Sequence, residues 1–152
     1  MLDETDTRIL VRLQQNAKLT IKELAEELNL TTSPVFERIK RLERDGIIER
    51  YVTLVNPEKV GRGQVVFCNV QMPVYTTGNI ALFEKIVQDI SQVLECYHLA
   101  GTVDYQLKIL VKDIKEYDAF LKQLAAIPVV KVHSSVIALH DVKYSTIVPI
   151  GL

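Results

Sequence analysis

Little in this chain is in excess. Its 152 residues carry only two cysteines, Cys68 and Cys96, too few for a disulfide framework. Its longest apolar runs are a few residues, far short of the roughly 20 that a membrane-spanning helix needs. Charge of one sign is missing too. Lys and Arg number 18 against 19 Asp and Glu, for a net charge of −1, so no global basicity advertises a nucleic-acid partner. The opening "MLDETDTR" is acidic and lacks the basic start and apolar core of a secretory signal, and the expected compartment is the cytoplasm. Neither a G-x-S-x-G elbow nor a phosphate-cradling glycine loop occurs. No nucleophile–base pair or carboxylate dyad stands out, so the expectation is that the chain is not an enzyme. What remains is 48% hydrophobic and 24% charged, the balance of a soluble globular protein of one ordinary domain or two small ones.

Two textures follow one another. Up to about residue 45 the apolar period is helical. Ile9, Leu10 and Leu13 form a first stripe. In "KLTIKELAEELNL", Thr20 with Glu23 makes a capping box. Ile21, Leu24, Ala25 and Leu28 then share one face, and Asn29 is a left-handed stop. In "TTSPVFERIKRLERDG", Thr31 or Thr32 caps a third helix and Pro34 sits in its first turn, where a missing N–H costs nothing. Val35, Ile39 and Leu42 face inward, and Gly46 ends the helix. Steps of 100° per residue then turn Ser33, Glu37, Lys40, Arg41 and Arg44 outward. The gap of three to four residues between the second and third helices is helix-turn-helix spacing. "IIERYVTLV" reads as a strand, following like a wing. Small hydroxyls at the start of an outward face and cations later on suit a recognition helix; a charged, solvated face is the plain alternative.

Beyond about residue 60 the order is β-α-β-β-α-β in two similar halves. The strands are "GQVVFCNVQM", "QVLECYHLA", "DYQLKILVK" and "PVVKVHSSVIALHDVKYS"; the helices are "NIALFEKIVQDI" and "DIKEYDAFLKQLAAI", the latter opened by Asp113 with Glu116 as a second capping box. This is the ferredoxin-like arrangement, with both helices on one face of the sheet. Val66, Cys68 and Val70 alternate with Val65 and Phe67, so apolar residues reach both faces. A second copy covering the open face predicts a homodimer through the sheet or its edges. "GRG" at 61–63 reads as a flexible link. The apolar end "STIVPIGL" either pairs with a neighbouring subunit or frays. Cys96 and His98 alternate onto one strand face and, with His133 and His140, raise a metal site, against the commoner reading of core packing. No metal and no cofactor are expected.

The pieces L-D-x-x-D-x-x-I-L, E-L-A, L-x-x-S-P-V, R-I-K-R-L-E-x-x-G-I-I and N-P-x-x-x-G run in order through the first 61 residues. With "ECYHLAGTVDYQLKILVKD" and "HDVKYSTIVPI" they resemble the Lrp/AsnC (leucine-responsive, feast/famine) regulators over nearly the whole chain. The resemblance implies an α+β chain: a winged helix-turn-helix over residues 1–60, then a βαββαβ effector-binding and oligomerisation domain over 61–152. It implies a DNA-binding transcriptional regulator responsive to an amino acid or similar small effector. Its partners would be double-stranded DNA, its own copies as a dimer or a higher oligomer such as an octamer, and no membrane.

For DNA the resemblance carries over Thr32, Ser33, Pro34, Glu37, Arg38 and Arg41, with Lys40 and Arg44 as phosphate contacts. Arg suits bidentate pairing with guanine; Arg38 could instead pair along its own helix with Asp45 or Glu49. The family commonly has a base where this chain has Glu37, an acid that could accept from cytosine N4 or repel phosphate. For the effector it carries over Leu99, Ala100, Gly101, Thr102, Asp104 and Tyr105, with Ser134, Ser135 and Val136 from the adjacent strand. Asp104 would meet an ammonium, and loop N–H groups and Thr102 a carboxylate. Alternatively Gly101 supplies a positive φ for a tight turn that Asp104 caps. The family often has a second acid at the Thr102 position, so the ligand is not read as leucine. A sensing or assembly protein without a DNA role, and a small enzyme on the ferredoxin-like domain, are the competing readings.

Overall fold

The computed structural model describes residues 2–151. They form two units, 2–54 with 143–151, and 55–142. Residues 143–151 are grouped with the first unit. No helix among the described residues is long and apolar enough to cross a membrane.

In the first unit, helices α1 (Glu4–Gln15), α2 (Ile21–Leu28) and α3 (Thr32–Arg44) bury Ile9, Leu10, Leu13, Leu24, Ala25, Leu28, Val35, Ile39 and Leu42 against one another. The caps follow local chemistry. Asp3 and Asp6 form a capping box at the start of α1, and Thr20 and Glu23 another at α2. Asn29 takes φ 55° at the end of α2, and Gly46 φ 70° past the end of α3. At α3 the N–H of Ile47 donates to Leu42 O (2.9 Å) and that of Gly46 to Glu43 O (3.1 Å), the double closure of a Schellman motif. Thr31 stands at the N-cap of α3 without a side-chain cap bond.

The strand expected in "IIERYVTLV" does not form. Ile47 and Ile48 spend their N–H groups closing α3, and Ile48 packs on the helical core. No described strand pairs with the rest, which leaves Tyr51, Val52, Leu54 and Val55 exposed. A β-pattern without a ladder partner has nothing to satisfy its backbone. Of the closing segment, Val148 and Ile150 are tied down: the Gln14 side chain exchanges two hydrogen bonds with the backbone of Val148 (2.6 and 3.2 Å), and Ile150 packs on the same core.

The second unit opens on a 3-10 turn (Glu58–Val60) closed by Gly61 at φ 73°. Arg62 pairs with Glu116 at 2.8 Å, so residues 61–63 are a tied-down turn rather than the flexible link expected. Strands β1 (Gln64–Gln71), β2 (Val93–His98), β3 (Tyr105–Val111) and β4 (Lys131–Ile137) make one antiparallel sheet ordered β2-β3-β1-β4. The last strand is thus much shorter than the run read from sequence. Helices α4 (Thr77–Gln88) and α5 (Ile114–Ala125) cover one face. Val66, Cys68, Val70, Phe83, Leu107, Ile109, Phe120 and Leu124 are its core, while Val65 and Phe67, on the opposite face, are only half-buried. Asp113 caps α5 through the N–H groups of Lys115 and Glu116, but Glu116 reaches Lys112 N instead of returning to Asp113. The second capping box is therefore only half made.

Candidate functional site

Three residues, 29–31, separate α2 from α3, and the exposed face of α3 begins with Thr32, Ser33 and Pro34. Glu37 is exposed beside them. Its four cations are all engaged. Lys40 Nζ lies 2.9 Å from Glu43 Oε2, and Arg44 Nε 3.0 Å from Asp45 Oδ1. Both cations are mostly exposed, at 58% and 74%, so each pair contributes under ~1 kcal/mol and yields readily to a phosphate.

Arg38 and Arg41 are held differently. Arg38 Nη1 donates to Asp3 Oδ2 (2.5 Å) and Asp6 Oδ1 (2.7 Å), and Arg41 Nη2 donates to Asp6 Oδ2. The partners expected for Arg38, Asp45 or Glu49, are not the ones it finds. Asp6 is fully buried, the one polar or charged side chain so placed among the described residues. Burial alone would raise its carboxyl. The backbone N–H of Asp3 and the two guanidiniums outweigh that and hold it below the usual carboxylate range. Sequence reasoning missed Asp6. The signal was there, since Asp3 and Asp6 have N-cap spacing, but its burial depends on where α3 packs.

The second candidate is the loop between β2 and β3. Leu99, Ala100, Gly101 and Thr102 are exposed. Leu99 N donates to Asp104 O (2.8 Å), and Gln71 Nε2 to Thr102 O (3.1 Å). Gly101 does not take a positive φ, and a Cβ there would meet nothing within 4 Å. The tight-turn account of this glycine is therefore wrong. Asp104 Oδ2 accepts the Met72 N–H at 2.7 Å, leaving Oδ1 unengaged among the described residues.

Tyr105 is not a loop residue. It is 1% exposed, stacks on His98 (4.5 Å between centroids) and meets Phe83 edge-on. Its hydroxyl donates to Glu84 Oε1 (3.1 Å), and burial followed by that bond pushes its ionisation upward. The three residues of β4 divide between faces. Ser135 stands opposite Cys68 and takes the Tyr117 hydroxyl on the helix side, while Ser134 bonds Asn69 and Val136 stands opposite Phe67 on the other side. Period-two alternation keeps Ser135 out of any pocket that Ser134 and Val136 line. Cys96 packs on the core, His98 lies 2.8 Å from the Tyr75 hydroxyl, and His133 and His140 are exposed. Among the described residues no group of three or more His, Cys, Asp or Glu is placed to hold a metal ion.

Comparison with known proteins agrees with both halves. Residues 2–49 match the winged helix-turn-helix DNA-binding family, and 65–148 the Lrp/AsnC ligand binding domain. The chain is 38% identical over 151 residues to the DNA-binding transcriptional activator DecR of Escherichia coli K12, covering 99% of each. It is 37% identical over 149 residues to the glutamate uptake regulatory protein of Zymomonas mobilis, covering 98% of this chain and 91% of that one. Among solved structures, a Neisseria meningitidis transcriptional regulator in complex with L-Met superposes with a TM-score of 0.93 at 34% identity, covering 98% of this chain and 97% of the other. An AsnC family regulator from Agrobacterium tumefaciens gives 0.92 at 35%, covering 97% of each. With its ligand-binding domain matched over more than half its length and full-length relatives above 30% identity, the chain belongs to the Lrp/AsnC family of transcriptional regulators.

Proposed function

We propose that the chain, acting in the cytoplasm, regulates transcription by laying α3 in the DNA major groove, and that an amino acid bound near the β2–β3 loop tunes it. The observation that carries the DNA half is α3 itself. Its buried seam leaves a face with Thr32, Ser33 and Pro34 at one end and exchangeable cations, Lys40 and Arg44, further along. Thr32, Ser33, Pro34 and Glu37 stand where base edges are read, and Lys40 and Arg44 where phosphates are met. A dimer would present two such helices to half-sites ~34 Å, or a multiple of it, apart.

The effector half rests on the half-buried Asp104, whose Oδ1 is unengaged among the described residues at the foot of an exposed loop. It is supported by relatives solved with L-Met and with L-methionine. Asp104 would take the ammonium, with Leu99, Ala100, Gly101 and Thr102 around it; Ser134 and Val136 are weaker candidates. Val65, Phe67 and Leu110 lie on the face of the sheet away from the helices, which supports a homodimer built there, and higher assembly by further copies. Amino-acid binding would shift that assembly by a coupling of ~1–3 kcal/mol.

The test is light scattering and duplex-binding anisotropy, with each of the twenty amino acids added in turn. DNA binding that shifts with one amino acid supports the whole reading. Binding indifferent to all twenty retains the regulator and removes the sensor. No salt-dependent DNA binding at all defeats it.

A further inference from the structure

Asp6 is an expensive residue to keep. A carboxylate with no exposure must be fully satisfied, and this one is, by Arg38, Arg41 and the Asp3 N–H at 3.1 Å. Both guanidiniums sit on the helix that carries the DNA-facing surface, one turn apart, and each is bound to Asp6 through a single terminal nitrogen. Arg38 Nε and Nη2, and Arg41 Nε and Nη1, have no partner among the described residues. The side chains remain 30% and 40% exposed. Buried anchorage at one edge of a planar fork fixes where its other donors point. Lys40 and Arg44 have no such anchor, since their acids are on the surface.

We infer that Asp6 is a positioning residue for DNA recognition: it aims the unpaired donors of Arg38 and Arg41, and its negative charge reduces the sequence-independent attraction of α3 for phosphate. The inference rests on the DNA-binding reading above. Two consequences follow together. Aimed forks favour bidentate contacts of defined geometry, which discriminate between sites. A buried anion beside two cations lowers the number of phosphates the helix neutralises, and with it non-specific affinity. A purely structural latch between α1 and α3 would have neither effect; its loss would weaken all DNA binding in proportion.

The experiment uses the full chain. A preferred duplex is selected from a random-sequence pool by the wild-type protein. Affinity for it and for a shuffled duplex of equal length is then measured by anisotropy across a range of salt. For Asp6→Asn, with folding checked by circular dichroism, non-specific binding should tighten and its salt slope steepen by about one unit. The preference for the selected duplex should fall roughly tenfold, about the value of one bidentate base contact. Specific and non-specific affinities that change by the same factor, or a preserved preference, overturn the role of Asp6.

Should Asp6→Asn fail to fold, Arg38→Lys and Arg41→Lys take its place. They keep charge against Asp6 and lose the fork. Retained non-specific affinity with lost preference supports the inference, and retained preference overturns it. A wild-type protein that selects no duplex defeats the DNA reading itself, an outcome distinct from a preference that ignores Asp6.

Discussion

Consider removing both arginines that hold Asp6. In Arg41→Ala the carboxylate keeps Arg38 and the Asp3 N–H. In Arg38→Ala it keeps Arg41. Each single change deletes one charge-assisted hydrogen bond to Asp6 from a partly exposed cation, a loss of ~1.5 kcal/mol at that carboxylate; Arg38→Ala also removes the bond to the exposed Asp3. The double variant is different in kind, because it leaves a buried carboxylate with one backbone N–H. Uncompensated buried charge costs ~3–5 kcal/mol, at or beyond the sum of the single losses. The acid responds in pH. In the wild type Asp6 lies below its ordinary value, so its stabilisation is present above the unfolded pKa of ~3.9 and is lost as pH falls through the lower folded value. In the double variant desolvation dominates and the folded pKa rises above the unfolded one. Its penalty is then full at neutral pH and disappears as pH falls through that raised value. The gap between wild type and double variant must therefore narrow between pH 7 and about pH 4. Hydrogen–deuterium exchange of peptides from α1 and α3 reads the local opening free energy of the first unit without interference from the second. A double-variant gap that is the same at both pH values, and no larger than either single loss, would refute the account.

The two glycines that matter respond in opposite ways. Gly46→Ala places a Cβ at φ 70° and is expected to destabilise the first unit by ~1–2 kcal/mol, whereas Gly101→Ala, at an ordinary φ in open space, leaves the melting temperature unchanged; equal shifts by calorimetry would contradict this. Burial, with Glu84 nearby, pushes the Cys96 thiol up to about 11, and Cys68 is raised and fully buried. Iodoacetamide at pH 8 should label native Cys96 far more slowly than a free thiol and spare Cys68, with the Cys96 rate rising through pH 10; rapid labelling of either at pH 8 counts against the packing described.

Much of the fold was legible because its signals are local. The seam of Val35, Ile39 and Leu42, the Thr20–Glu23 box and the left-handed stops at Asn29 and Gly46 each depend on neighbours within one or two turns. The strand in "IIERYVTLV" misled for the complementary reason: β-branched alternation states a preference, but a strand exists only where a partner supplies hydrogen bonds. The site was less legible than the fold. Tyr105 follows the loop motif closely, yet its position on β3, between Phe83 and His98, makes it core. Ser135 adjoins Ser134 in sequence and faces the other way.

By itself, the sequence determined the helices and the βαββαβ order, both apolar periods, the Thr20–Glu23 box and the helix-turn-helix spacing, since period and capping are properties of contiguous residues. Tertiary structure decided which charges are anchored by a buried partner. In sequence Arg41 is an outward cation and Arg38 has only its own helix to pair with, until α1 packs against α3 and brings Asp6, more than thirty residues away in sequence, beneath both. Coulomb and desolvation energies depend on distance in space and on exclusion of water, and neither is set until the helices meet.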